Sequence, residues 1–93
     1  MKPFEWDEDK NRWLKRERGV SFEQIVFSIA NGNLLDVIRH PNQTKYCGQW
    51  VYVVEVENYV YLVPYVEERE SIFLKTLFPS RKYTKRHLGA GQQ

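Results

Sequence analysis

Arg81, Lys82, Lys85 and Arg86 fall within six residues of one another near the end of the chain, Lys75 precedes them, and no acidic residue occurs from Lys75 onward. Guanidinium and ammonium groups spaced this closely suit phosphate, arginine as a planar fork that engages two oxygens and lysine as a compact point charge. A segment rich in tyrosine, Tyr59, Tyr61 and Tyr65, lies upstream. Exposed rings beside cations are what a single-stranded nucleic acid uses, because every unpaired base has a face to stack. The same run also reads as a solvated basic tail. Between Glu55 and Glu70 the balance is reversed, with five acidic residues to one basic, so the chain is electrically polarised although its net charge is only +2.

Cutting a phosphodiester without a metal needs a base for the attacking hydroxyl, cationic groups for the crowded phosphate and an acid for the leaving oxygen. The residues able to act as base are scattered. His40 precedes Pro41 at a strand end, His87 lies in the basic run, and Glu67 belongs to a polar hairpin. One cysteine, Cys47, makes no internal disulfide, and with two histidines the chain offers no Cys/His cluster at zinc spacing. No metal and no cofactor are expected, and the compartment is expected to be reducing.

The elements that must position these groups can be read from period and punctuation. Phe4 to Trp6 alternates as a short strand, and Asp7 with two following acidic residues opens a helix expected over 8–17, where Trp13 and Leu14 supply a thin apolar face. Trp6 is expected to pack under that helix. Gly19 ends it. Ser21-Phe22-Glu23-Gln24 then fits a capping box, and Phe22, Ile25, Val26, Ile29 and Ala30 keep the spacing of a second helix that buries one stripe. Leu34 to His40, Gln49 to Glu57, Tyr59 to Val66 and Ser71 to Phe78 read as four antiparallel strands, with Pro64 marking a bulge or an unpaired side in the third. The tail from Arg81 adds at most a helical turn.

These elements predict an α+β fold with two N-terminal helices packed on a four-stranded antiparallel sheet, a short N-terminal strand and a basic C-terminal tail. On the third strand, Tyr59, Tyr61, Val63 and Tyr65 share one side and Val60, Leu62 and Val66 the other. The tyrosine side is taken as the outer one. Residues 1–88 form one domain and 89–93 a loose end, since 93 residues suffice for one core only. Hydrophobic residues at 42% and charged ones at 28% are ordinary for a globular domain, no apolar run is long enough to span a bilayer, and the charged opening lacks a secretory core. A cytoplasmic protein without a membrane segment is expected.

Phe4-Glu5-Trp6-Asp7, Lys10-Asn11 and Gly19-Val20-Ser21-Phe22-Glu23 resemble the opening signature of the BrnT-type toxins, and Pro79-Ser80-Arg81-Lys82-Tyr83-Thr84 resembles their closing segment. The resemblance spans nearly the whole chain. It implies a RelE-like fold, a metal-independent endoribonuclease that acts on RNA as the toxin of a type II toxin-antitoxin system, and a ribbon-helix-helix antitoxin as partner in a hetero-oligomer that meets DNA only through the antitoxin. The motif match makes Arg81 the first candidate for the catalytic phosphate contact; the charge and ring pattern adds Lys82 and Lys75 as further phosphate contacts, Tyr65 as a base stack or proton donor, and Tyr61, Lys85 and Arg86 as RNA contacts. The chain has Arg18 where the family commonly has histidine, and Leu14 where it has asparagine. A second reading therefore keeps the fold and drops the chemistry: a toxin-like protein-binding module that pairs with an antitoxin in a DNA-bound autorepressor.

Overall fold

The computed structural model describes residues 2–89 and has the order β1 (Phe4–Glu5), α1 (Glu8–Arg18), α2 (Phe22–Ala30), β2 (Leu34–Arg39), β3 (Trp50–Val56), β4 (Tyr59–Glu67), β5 (Ile72–Leu74), β6 (Phe78–Pro79) and α3 (Arg81–Leu88). The α1 helix starts where the Asp7 carboxylate accepts from the Asp9 and Lys10 amides at 2.8 and 3.1 Å, and it ends on Gly19 at φ 71°. Only Leu14 and Asn11 of α1 are buried. Asn11 is wholly enclosed. Its amide donates to Glu23 Oε1 and its carbonyl oxygen accepts from the Phe22 amide, both at 2.8 Å, so one side chain ties α1 to the first turn of α2.

The expected capping box opens α2: Ser21 Oγ accepts from the Gln24 amide at 3.2 Å, and Gln24 Oε1 accepts from the Ser21 amide at 2.9 Å. Phe22 and Ile25 are fully buried, with Val26 and Ile29 packed alongside. Each such side chain removed from water stabilises the fold by about 1.5–3 kcal/mol. Trp6, expected under α1, is half-buried and stacks instead on Phe22 of α2 with ring centroids 5.6 Å apart, while its indole N–H donates to Glu8 at the start of α1.

The α+β class is borne out, but the sheet is not four antiparallel strands. Its order is β1-β5-β4-β3-β2 with β6 also on β4, and β1 runs parallel to β5, so the sheet is mixed. The segment expected as one strand over 71–78 is two. The break follows from Pro64. Its carbonyl accepts from the Lys75 amide at 2.8 Å, so the side of Pro64 that lacks an N–H faces β5, and the ladder fails there. Pairing resumes one residue out of step: Tyr65 opposes Leu74, whereas Leu62 opposes Phe78 instead of Leu77. The extra residue lies in the 75–77 connection, where Leu77 is fully buried.

The tyrosine side of β4 is the inner one, which corrects the expectation. Register sets Tyr65, Val63 and Tyr61 opposite Trp50, Tyr52 and Val54, and Tyr52, Val54, Val63 and Tyr65 share one buried cluster with Leu14, Phe22 and Ile25. Both faces of β4 are apolar, so alternation left the choice open; the stripe on α2 decides it. On the opposite face Val51, Val53 and Val60 are also buried, outside that cluster.

The basic tail is likewise corrected, for it is the helix α3 and packs on β4. Ser80 Oγ caps it by accepting from the Tyr83 amide at 3.1 Å. Thr84 Oγ1 donates to the Ser80 carbonyl at 2.7 Å and accepts from the Val60 amide at 2.9 Å. Beyond β6, then, a threonine hydroxyl replaces the next strand as the acceptor for β4, and the helix is docked to the sheet edge. Of the predicted loose end, residues 90–93 lie outside the described residues, and Gly89 is buried. No helix among the described residues is long and apolar enough to cross a membrane.

Candidate nucleic-acid interface

A helix advances about 100° per residue, which sets Arg81, Lys85, Lys82 and Arg86 in that order on one arc of about 140°, with Leu88 and Thr84 on the flank beyond Arg81, about 20° and 60° from it. All four cations are exposed, while Thr84 and Leu88 are partly buried. Arg81 and Lys82 sit in the first turn, which holds no acidic residue, so the positive end of the helix dipole adds to their field instead of opposing it. An anion at this turn meets peptide dipole and side-chain charge of one sign.

Comparison with α1 shows what is particular about this arc. The first helix carries five cations as well, but most are engaged: Arg12 pairs with Asp9, Lys15 with Glu23 at 3.9 Å, Arg16 with Glu17 at 3.2 Å, and Arg18 donates to the Leu77 carbonyl. Among the described residues, none of Arg81, Lys82, Lys85 and Arg86 has an acidic partner. Their charge is uncompensated locally. Lys75, also exposed, stands on the β5–β6 connection with its ammonium 5.4 Å from the Phe73 ring, and no hydrogen bond, ion pair or ring contact joins it to α3 among those residues. The structure brings the four helical cations together and leaves Lys75 separate.

The tyrosines chosen from sequence do not line this surface. Tyr65 is 6% exposed and stacks on Tyr52 at 3.9 Å and 11°, so neither a base nor a leaving oxygen reaches it in this arrangement. Burial pushes the Tyr65 hydroxyl above the ordinary phenol range, and the Glu67 carboxylate adds to the shift. Tyr52 is raised for the same first reason, with Tyr65 next. Tyr61 is half-buried against the core and is raised by burial, then by Glu57 and Tyr59. These phenols stay protonated and structural.

Tyr83 is the aromatic residue that borders the cationic arc, about 60° beyond Arg86, and no role was assigned to it from sequence. Its ring has the Arg86 guanidinium at 4.8 Å and the Lys82 ammonium at 5.8 Å, and the His87 ring lies 16° from parallel at 6.2 Å. The signal was present. Once 81–88 is a helix, Tyr83, Arg86 and His87 are i, i+3 and i+4 and must be neighbours.

A second cation and ring group occurs on α1, where Trp13, 37% exposed, has Lys10 at 4.8 Å and Arg18 at 5.2 Å. His40 packs against the Tyr46 ring at 4.3 Å with the planes tilted by 34°, and its Nδ1 accepts from the Asn42 amide, which fixes it in the β2–β3 loop. Among the described residues there is no concave pocket and no His/Cys/Asp/Glu group able to hold a metal ion. The arrangement is thus an open, convex cationic surface able to hold several phosphates at once. No family model, curated protein or solved structure matches the chain.

Proposed function

We propose that the chain is the toxin of a type II toxin-antitoxin pair and acts as an endoribonuclease that needs no metal, gripping RNA through α3. The observation that carries the reading is the set of four exposed, acid-free cations on a helix capped by Ser80 and fastened to β4 through Thr84. A floppy basic tail would hold RNA without placing it; a docked helix can place it. In this reading the RNA 2′-hydroxyl attacks the adjacent phosphorus, the bond to the 5′ oxygen breaks, and the proton lost by one oxygen is gained by the other. Arg81 spans two phosphate oxygens and Lys82 adds charge, stabilising the crowded intermediate. The resemblance at both ends of the chain supplies the expected antitoxin partner, a ribbon-helix-helix protein.

Expression of the chain alone tests this. Growth arrest with fragmented RNA is expected, and Arg81→Ala is expected to abolish both while the circular dichroism spectrum and melting temperature stay near the parent values. A folded Arg81→Ala chain that still arrests growth removes Arg81 from the site.

A second reading, the protein-binding module without catalysis, is favoured by Val37 and Trp50. They lie on one face of β2 and β3 at 40% and 41% exposure, beside the free edge of β2. Arrest without RNA fragmentation, or no arrest, sides with that reading.

A further inference from the structure

We infer that the ligand of α3 is single-stranded RNA, read through one unpaired base stacked on Tyr83. The inference rests on the proposed RNA-binding role of the same helix and adds the class of RNA and the residue that selects it. Tyr83 is the one benzenoid ring of α3, and the cations Lys82 and Arg86 stand over it at 5.8 and 4.8 Å. The neighbouring His87 ring is stacked with it, 16° from parallel and with centroids 6.2 Å apart.

Arg86 is exposed and has no acidic partner among the described residues, so its guanidinium is held over the ring by the cation and ring contact alone. Such an exposed contact is weaker than a stacked base. A base therefore displaces Arg86 from the ring, and the freed guanidinium becomes available to the phosphate next to that base. Arg81, Lys82 and Lys85 on the adjoining arc take the following phosphates. Charge complementarity selects an anionic strand. The ring selects one whose bases are unstacked, since the bases of a duplex keep their faces covered.

The probes are a fluorescein-labelled single strand of RNA, the same strand annealed to its complement, and the same strand with every base removed. Anisotropy titration of the whole chain is expected to give tightest binding to the single strand and binding weakened roughly tenfold for the duplex and the abasic strand, within the range of one base–aromatic stack. Tyr83→Ala is expected to weaken the intact strand by a similar factor and leave the abasic strand unchanged, while Tyr83→Trp restores the intact strand. Equal affinity of the parent chain for intact and abasic strands overturns the inference without any variant, even if α3 bends on substitution. When the parent binds all three probes alike and Arg81→Gln with Lys85→Gln weakens all three, the RNA-binding reading stands and the stacking inference falls. Absence of binding to every probe overturns both.

Discussion

Asn11 shows how much one side chain can settle. A wholly buried amide on a helix with so little apolar surface holds α1 by two hydrogen bonds, one to the Phe22 amide and one to Glu23. Asn11→Ala leaves the Phe22 amide buried without that acceptor and is expected to cost roughly 2 kcal/mol in denaturant unfolding. The same contact acts on Glu23, whose carboxyl is held below its ordinary 4.5, first by the Asn11 hydrogen bond and with a contribution from Lys15. A depressed folded value means that the unfolded chain takes up the proton first as pH falls. The stability this carboxylate contributes is present above pH 4.5 and is lost as pH falls through the lower folded value. Glu23→Gln keeps an acceptor for Asn11 without the titration, so its unfolding free energy is expected to fall less than the parent's on acidification below that point. Parallel acid limbs for the two chains contradict the assignment.

At the scale of the element, α3 is the structure on which the proposed function rests, and its docking depends on a hydroxyl. Thr84→Val keeps the shape of the side chain and removes the acceptor for the Val60 amide and the donor to the Ser80 carbonyl. A loss of about 1–2 kcal/mol is expected, with faster hydrogen exchange at Val60 and along α3 than in α2. Weaker RNA binding should follow with the four cations untouched; unchanged exchange at Val60 would place the anchor elsewhere. Much of the architecture was legible in local chemistry: the Ser21 box and the Gly19 stop each act within a few residues of themselves, and Pro64 marks an interruption by its missing N–H whichever strand lies beside it. The tyrosine face was not, because the residues on both sides of β4 are apolar and only packing against Phe22 and Ile25 chooses between them. The α3 helix was missed for a related reason. Its sequence is polar almost throughout, and it is held by its cap and Thr84, with no apolar stripe to announce more than a helical turn. With α3 taken as a tail, Tyr83 had no defined neighbours, so the cations were found and their ring was not.

Across the whole molecule, the separation of charge sets what the net +2 conceals. Val60 touches α3, and Glu67 lies seven strand residues further along β4, about 23 Å at 3.3 Å per residue. That is more than twice the Debye length of about 8 Å at physiological salt, so the acidic turn formed by Glu67, Glu68 and Glu70 does little to cancel the field over Arg81 and Lys82, and the nearer Glu55, opposite Val60 on β3, makes no ion pair with α3 among the described residues. Association with RNA should then depend on salt as a four-cation surface does and not as a neutral molecule does. For single strands each neutralised phosphate contributes about 0.7 to the slope of log K against log salt, so four contacts predict a slope near −2.8. Replacing Lys85 by Gln is expected to reduce its magnitude by about 0.7, whereas Glu67→Gln with Glu70→Gln is expected to leave it nearly unchanged. Were the paired cations of α1 the true interface, the Lys85 change would leave the slope alone and Lys15→Gln would lower it. The two helices make opposite predictions for the same titration, and the cations of α3, which among the described residues have no ion pair to break before they meet a phosphate, should decide it.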